Sequence, residues 1–298
     1  MLQQDQSIII GYFYTILTKN ISGTGQDWLD KSLKKLSENR IEKDLFTSFS
    51  LAPRFVGKAP LQLTGEDLEK AKKITPGFDA AKLTTDQAAR ILIILSYYNN
   101  DAVSFKNTLE KIFNTADIQE LVSLYAALPI LPHPEDFTAR ASEGVRTNMT
   151  VVFDTIALNN PFPSEYLNDD AWNQMVLKAV FINRPLYKIY GFDKRRNAEL
   201  ARMLSDFAHE RWAAGRKVPP ELWRATGPFL EVKLLNDIQK LLHSEEKWDK
   251  EAGTLACYES QNQQPKSLLS KVPEIKSRID SGNLTWDILG QEIEKNQT

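Results

Sequence analysis

Apolar side chains recur at helical spacing along most of this chain, and no stretch shows the regular apolar/polar alternation of a half-buried strand. In Thr85–Tyr98 (TDQAARILIILSYY) the positions Ala88, Ile91, Leu92, Leu95 and Tyr98 share a helix face, and Thr84, Thr85 or Asp86 can cap it. Ser104–Phe113, Ile118–Leu128, Phe137–Asn148, Met149–Leu158, Asp170–Ile182 and Ala198–Ala214 repeat the pattern. Val151–Ile156 is too short to separate strand from helix by pattern, and its helical neighbours decide for helix. At an ordinary helix length of about 12 residues, the chain holds on the order of a dozen helices. The expected fold class is all-α. Helix pairs joined by short turns suggest stacked αα-hairpins in an irregular, HEAT-like array, with a non-repeating multi-helical bundle as the competitor. No strict repeat at fixed period is present.

Breakers divide the chain. Pro129, Pro132 and Pro134 interrupt it once, the NNPFP run again, and Arg184-Pro185 a third time. Gly215 is placed to cap Ala198–Ala214, and Pro219-Pro220 opens a short helix that Gly227-Pro228 stops. Arg54–Thr85 is poor in pattern and holds one short helix, Gly65–Lys73. After Ser244 the charge rises and the pattern loosens, and Gln261–Lys266 (QNQQPK) reads as a linker or loop. The expected segments are an N-terminal helical region (1–128), a core (129–243) and a C-terminal helical tail (244–298), together one continuous α domain.

Composition narrows the function classes. The 298 residues are 42% hydrophobic, enough for a sizeable core in one large or two smaller domains. Charged residues are 26% and net charge is −2, which favours neither nucleic acid as a partner nor an acidic disordered tail. The single Cys257 excludes an intrachain disulfide and any cysteine-based metal site. No apolar run reaches the roughly 20 residues of a membrane helix. The nearest, Ser7–Thr18 (SIIIGYFYTILT), follows MLQQDQ rather than a basic stretch, and reads as a buried first helix and not a signal peptide. The expectation is a soluble, cytoplasmic protein with no membrane span of its own.

Candidate site residues concentrate in Pro129–Leu230. His133 sits in HPED, which also reads as a plain helix entry. Glu143 and Arg146 are spaced to pair, as are Arg140 and Glu143. Facing a pocket, Arg146 with Asn148 would suit a carboxylate, phosphate or hydroxyl; facing water, such pairs are worth little. In Ala198–Ala214, His209, Trp212 and Arg216 share a face, with Asp206 one turn before His209 or Glu210. An Asp206-oriented His209 would be a general base, although a packing histidine is the commoner case. Trp172, Trp212 and Trp223 are packing residues or, less economically, the aromatic lining of a ligand pocket. Asn173 and Arg184 flank an apolar helix and either cap it or reach a ligand. HExxH spacing fails because position 213 is alanine, the three histidines lie far apart, and no metal site or cofactor is expected. Walker A, GxGxxG and GxSxG motifs and DDxxD-like acid clusters are all missing.

Longer stretches carry a resemblance. HPEDFTARASEGVRTN, ALNNPFP, AWNQMVLKAVF, NRPLYKIYG, ELARMLSDFAHERWAAGR and PPELWRATGPFL, all within His133–Leu230, resemble the bacterial EboA family. The likeness continues more weakly through Leu45–Leu63 and TTDQAARILIIL; the N-terminal helix and the tail after Leu230 carry none of it. The resemblance implies a metabolite-traffic protein of secondary metabolism, grouped with a prenyltransferase-like membrane protein, a TatD-like metal hydrolase and sugar-isomerase-like enzymes. It implies movement of a small, lipophilic or precursor metabolite from cytoplasm toward periplasm. It brings no catalytic residues.

Three classes of function remain. A carrier needs a concave pocket lined by Trp172, Trp212, Trp223 and apolar neighbours. A metal-independent enzyme needs His209, His133 and an acid such as Asp206 at one cavity. A scaffold needs a large apolar surface patch. The leading expectation is an accessory binding or scaffold protein, with a small metabolite and proteins of the same pathway, the prenyltransferase-like membrane protein among them, as partners.

Overall fold

The computed structural model describes residues 3–230 and 232–297, in which every element is helical apart from one isolated bridge between Pro60 and Thr84. Residues 1, 2, 231 and 298, which the expected segments include, lie outside the described residues. The fold is all-α and multi-helical, in two compact units, Met1–Leu167 and Asn168–Thr298. The division falls inside the 129–243 segment, and neither expected boundary coincides with it.

The first unit contains α1 (Gln3–Asn20), α2 (Gly23–Asn39), α3 (Glu42–Val56), α4 (Gly65–Ile74), α5 (Thr85–Tyr97), α6 (Ala102–Thr115), α7 (Ile118–Ala127), α8 (Thr138–Gly144), α9 (Thr150–Ala157) and α10 (Phe162–Tyr166). Helices α1, α2, α3 and α7 all pack on α5. Ala89, Ile93 and Ile94 are therefore buried along with the expected face of α5, because a helix apolar all round belongs in the middle of a core. One cation sits in that core. Arg90 is 2% exposed, donates from Nη1 to Asp86 at 3.0 Å and from Nε to the Phe49 carbonyl at 3.0 Å, and lies 5.3 Å from the Phe49 ring centroid. Nη1 also donates to the Ser123 hydroxyl at 3.4 Å, and pairing with a carboxylate plus further hydrogen bonds is the condition for keeping a guanidinium out of water.

Local chemistry sets the ends of these helices. Thr64 and Asp67 form a capping box on α4, and Asp67 also takes the Lys19 ammonium of α1 at 2.8 Å. Hydrogen bonds from Lys19 and Thr64 hold the Asp67 carboxyl down to about 2. The expected helix Phe137–Asn148 is shorter: a 3-10 turn covers Pro134–Phe137, α8 stops at Gly144, and the chain turns through 145–149. Gly144 explains the approach that follows. A Cβ there would stand 2.4 Å from Ile156 Cδ1 and 2.7 Å from Tyr125 Cζ, so only glycine lets α8 close on α7 and α9. In the NNPFP run, Asn159 adopts φ 53° and the buried Asn160 amide bonds the Tyr125 and Thr155 carbonyls and the Phe162 N–H.

The second unit contains α11 (Asp169–Phe181), α12 (Ala198–Ala213), α13 (Val232–Leu242), α14 (Lys247–Glu259), α15 (Gln263–Ser267), α16 (Pro273–Asp280) and α17 (Trp286–Gln297). Asn168 and Asn197 cap α11 and α12 by accepting from backbone N–H groups. Gly215 closes α12 as expected: with φ 65° it sets the Arg216 N–H on the Arg211 carbonyl and its own on that of Trp212, a Schellman motif. The tail differs from its expectation. Helix α14 packs on α13, α16, α17 and the 3-10 turns Pro220–Ala225 and Gly227–Phe229, with Glu251–Cys257 wholly buried. Its small residues, AGTLAC, leave no single apolar stripe because partners cover it all round. Burial pushes the Cys257 thiol up to about 12, so it packs and does not react. The expected linker Gln261–Lys266 becomes helical from Gln263 as α15.

Candidate functional site

The sequence candidates divide between the units. His133, Glu143, Arg146 and Asn148 lie in the first, and the remainder in the second. His133 takes φ 52° at the start of the Pro134–Phe137 turn, with Nε2 3.2 Å from the Tyr98 hydroxyl and Nδ1 3.7 Å from Glu135. That is the helix-entry arrangement. Glu143 pairs with Arg140 at 3.0 Å and not with Arg146, since α8 ends between them. Arg146 and Asn148 are exposed on the following turn, and neither lines the cleft beside Trp212 or the groove beside α1.

Among the second group, Asn173 is buried and exchanges amide hydrogen bonds with Asn197 at 3.2 and 2.9 Å, tying α11 to α12. Arg184 follows the left-handed Asn183 (φ 56°) and donates to the Ile182 carbonyl at 3.4 Å. Asp206 faces water and takes Arg202 at 2.7 Å, so it does not orient His209. Glu210 is also exposed. His209 instead meets Asp237 of α13, with Nε2 and Oδ1 2.8 Å apart. The other Asp237 oxygen accepts from the Ser205 hydroxyl at 3.2 Å. Asp237 is 7% exposed, whereas the His209 side chain is 53% exposed.

Trp212 is where these contacts reach a cleft. One turn beyond His209 on α12, it has the His209 ring 5.8 Å away and stacks on the fully buried Trp223 at 5.6 Å and 23°. The Lys240 ammonium sits 3.7 Å from its ring centroid, a close cation–π contact. Trp212 then lines a cleft of about 770 Å³ with Arg216, Lys217, Lys240, Trp248 and Ile293 among its other walls. The volume is within the ordinary range of small-molecule sites. Arg211 fixes one edge by donating to the Lys217 carbonyl at 2.6 Å, and Lys217 pairs with Glu246 at 2.8 Å. Burial raises the Asp249 carboxyl, which accepts from Ser244 at 2.9 Å. Four cations, Arg211, Arg216, Lys217 and Lys240, thus meet two carboxylates, Glu246 and Asp249, around an aromatic wall. Trp172 and Trp223 are fully buried and line nothing there, and His209 touches Trp212 without joining the wall.

Sequence reasoning missed Asp237, Lys240, Trp248 and Asp249. Asp237 and Lys240 stand in VKLLNDIQKLL, where they read as an ordinary polar face. It also missed Glu221, which is buried, accepts the Tyr187 N–H at 2.8 Å and is pushed up to about 7 by that burial. Beside it, Glu294 takes the Tyr187 hydroxyl and the Lys188 ammonium, the latter at 2.5 Å. Arg224 grips Asp193 at 2.8 and 2.7 Å and Asp287 at 2.7 Å. This network fastens α17 to the Pro220–Ala225 turn. Among the described residues no three His, Cys, Asp or Glu side chains converge as a metal-binding group.

A family model described as "Metabolite traffic protein EboA" matches residues 9–227. The match takes in α1 from Ile9 onward, further upstream than the quoted motifs reach, and it ends at Gly227, before α13. Trp212, Arg216 and Trp223 lie inside it; Lys240, Trp248 and Ile293 lie beyond it. No curated protein and no solved structure matches the chain.

Proposed function

The chain belongs to the EboA family of metabolite traffic proteins, and from that premise we propose that it binds the trafficked metabolite in the Trp212 cleft. It does so as a carrier and not as a catalyst. The observation that carries this reading is the Trp212 wall itself. Trp212, stacked on the buried Trp223 with the Lys240 ammonium over its ring, gives the cleft a rigid aromatic face that carries positive charge. Such a face suits a small metabolite with a flat or lipophilic body and an acidic group, the acid meeting Arg216 or Lys240. Among the described residues no helix is long and apolar enough to cross a membrane. On this reading the protein holds its cargo in the cytoplasm during synthesis or export, and the crossing belongs to a membrane protein of the same pathway.

The test is mass spectrometry of small molecules retained by the protein purified from a strain that carries the pathway. The expected result is one recurrent acidic, lipophilic compound bound to the wild type and lost from Trp212→Ala and Arg216→Glu, with helicity unchanged. Equal retention by both variants overturns the assignment.

A second reading has one specific support, the Ser205–Asp237–His209 array. Asp237 orients an imidazole whose side chain is half exposed, which is the requirement for a general base acting on a precursor. It predicts a compound whose structure changes on incubation with wild type and not with His209→Gln.

A further inference from the structure

The first unit has a groove of its own, also about 770 Å³, walled by α1, α4 and the Pro134–Phe137 turn. Ile8, Gly11 and Thr15 of α1 line it, spaced one and two turns apart on one face. Gly11 is the informative residue. Glycine in a helix interior disfavours the helix relative to alanine and is normally retained for a positive φ or a close backbone approach. Neither reason applies. Gly11 is absent from the positive-φ glycines, and a Cβ built on it meets no heavy atom of the described residues within 4 Å. The missing side chain leaves groove where any other residue would fill it.

The walls state the chemistry. Ile8 is 59% exposed although apolar, and Ile74 and Pro134 continue the apolar surface. Tyr12 also lines the groove; it is 7% exposed and its buried hydroxyl has no hydrogen-bond partner among the described residues. Asp67 is already neutralised by Lys19. Lys70 pairs with Glu66 at 2.7 Å, and both are exposed. Lys73 lines the groove, is exposed, and makes no ion pair within 4 Å among the described residues, although its charge acts on Glu69. Glu135, near His133, is the remaining acid on the wall and repels an anion toward the lysines of α4.

We propose that this groove is a second ligand site, independent of the Trp212 cleft, which takes a single-chain amphiphile with its apolar body over Gly11 and its anionic head at Lys73 and Lys70. Charge complementarity at the α4 end selects the sign of the head, and the groove's open, apolar floor selects the body.

The test is titration calorimetry of the full chain with dodecanoate, kept below its micellar concentration, against dodecyltrimethylammonium. Wild type should bind dodecanoate and take up the cationic probe at least tenfold more weakly. Gly11→Leu should retain its helicity and melting temperature, because the space is open and leucine favours helix, and should lose dodecanoate affinity tenfold or more. Lys73→Glu should weaken it several-fold. In a Trp212→Ala background the losses caused by Gly11→Leu and Lys73→Glu should persist, which separates this groove from the Trp212 cleft. The proposal is overturned if dodecanoate does not bind, if both probes bind alike, or if Trp212→Ala abolishes binding while Gly11→Leu does not. Sedimentation of wild type, but not Lys73→Glu, with phosphatidylglycerol vesicles in place of monomer binding would assign the groove to a membrane surface and also overturn it.

Discussion

His209 Nε2 lies 2.8 Å from Asp237 Oδ1, 28 residues further along the chain, and that carboxylate is far more buried than the imidazole it holds. Replacing His209 therefore acts mainly on Asp237. His209→Ala leaves a buried carboxylate with only the Ser205 hydroxyl, a loss of about 1–3 kcal/mol. The melting temperature should fall by several degrees, and Asp237→Asn should fall less because the amide still accepts from Ser205. Arg146→Ala, on an exposed turn, should stay within about 0.5 kcal/mol of wild type. Thermal denaturation of the three variants checks this; an unchanged His209→Ala melt would show that the pair contributes nothing to stability.

Glu221 gives a pH dependence with a definite sign. Its folded value, about 7, lies above its usual 4.5 because burial disfavours the ionised form. Between those values the folded state binds more protons than the unfolded one. The stability contribution is thus complete below about 4.5 and is lost as pH rises through about 7, with a slope of at most about 1.4 kcal/mol per pH unit. Glu221→Gln should flatten the melting temperature between pH 5 and pH 8 and raise it relative to wild type at the upper end. Calorimetric melts across that range, showing parallel curves for the two proteins, would contradict the assignment.

Three glycine-to-alanine changes should differ in sign. At Gly290 a Cβ meets Tyr187 Cδ1 at 2.5 Å and Glu221 Oε1 at 2.6 Å, and at Gly144 it meets Ile156 Cδ1 at 2.4 Å. Each forces helices apart and should cost about 1–3 kcal/mol. Gly11→Ala meets nothing and should stabilise by about 0.5–1 kcal/mol through helix propensity. Urea denaturation of the three proteins measures all of it.

Asp86 and Arg90 are both almost inaccessible to water. Arg90→Met alone strands Asp86 in the core and should cost about 3–5 kcal/mol. The double variant Asp86→Leu/Arg90→Met should recover much of that loss, because it removes both desolvated charges. A double variant no more stable than Arg90→Met, read from the midpoint of denaturant unfolding, would contradict the account.

What the sequence determined by itself was local. Helix hydrogen bonds and caps join residues at most four or five positions apart, so periodicity identified the helices, and Thr84 and Gly215 marked helix ends by residue type alone. The same logic reached Trp212 and Arg216, which share a face because 3.6 residues make a turn. Tertiary packing decided everything that joined distant segments. Asp206 sat one turn from His209 yet took Arg202, while Asp237 reached His209 from another helix. Helix α14 looked like tail because a helix covered on all sides has no stripe to display. Lys240 and Trp248 completed the cleft from segments whose local patterns mark only a polar face and a charged helix. No periodicity encodes which helix faces which, because that choice comes from the volumes and charges of residues brought together only when the chain closes on itself.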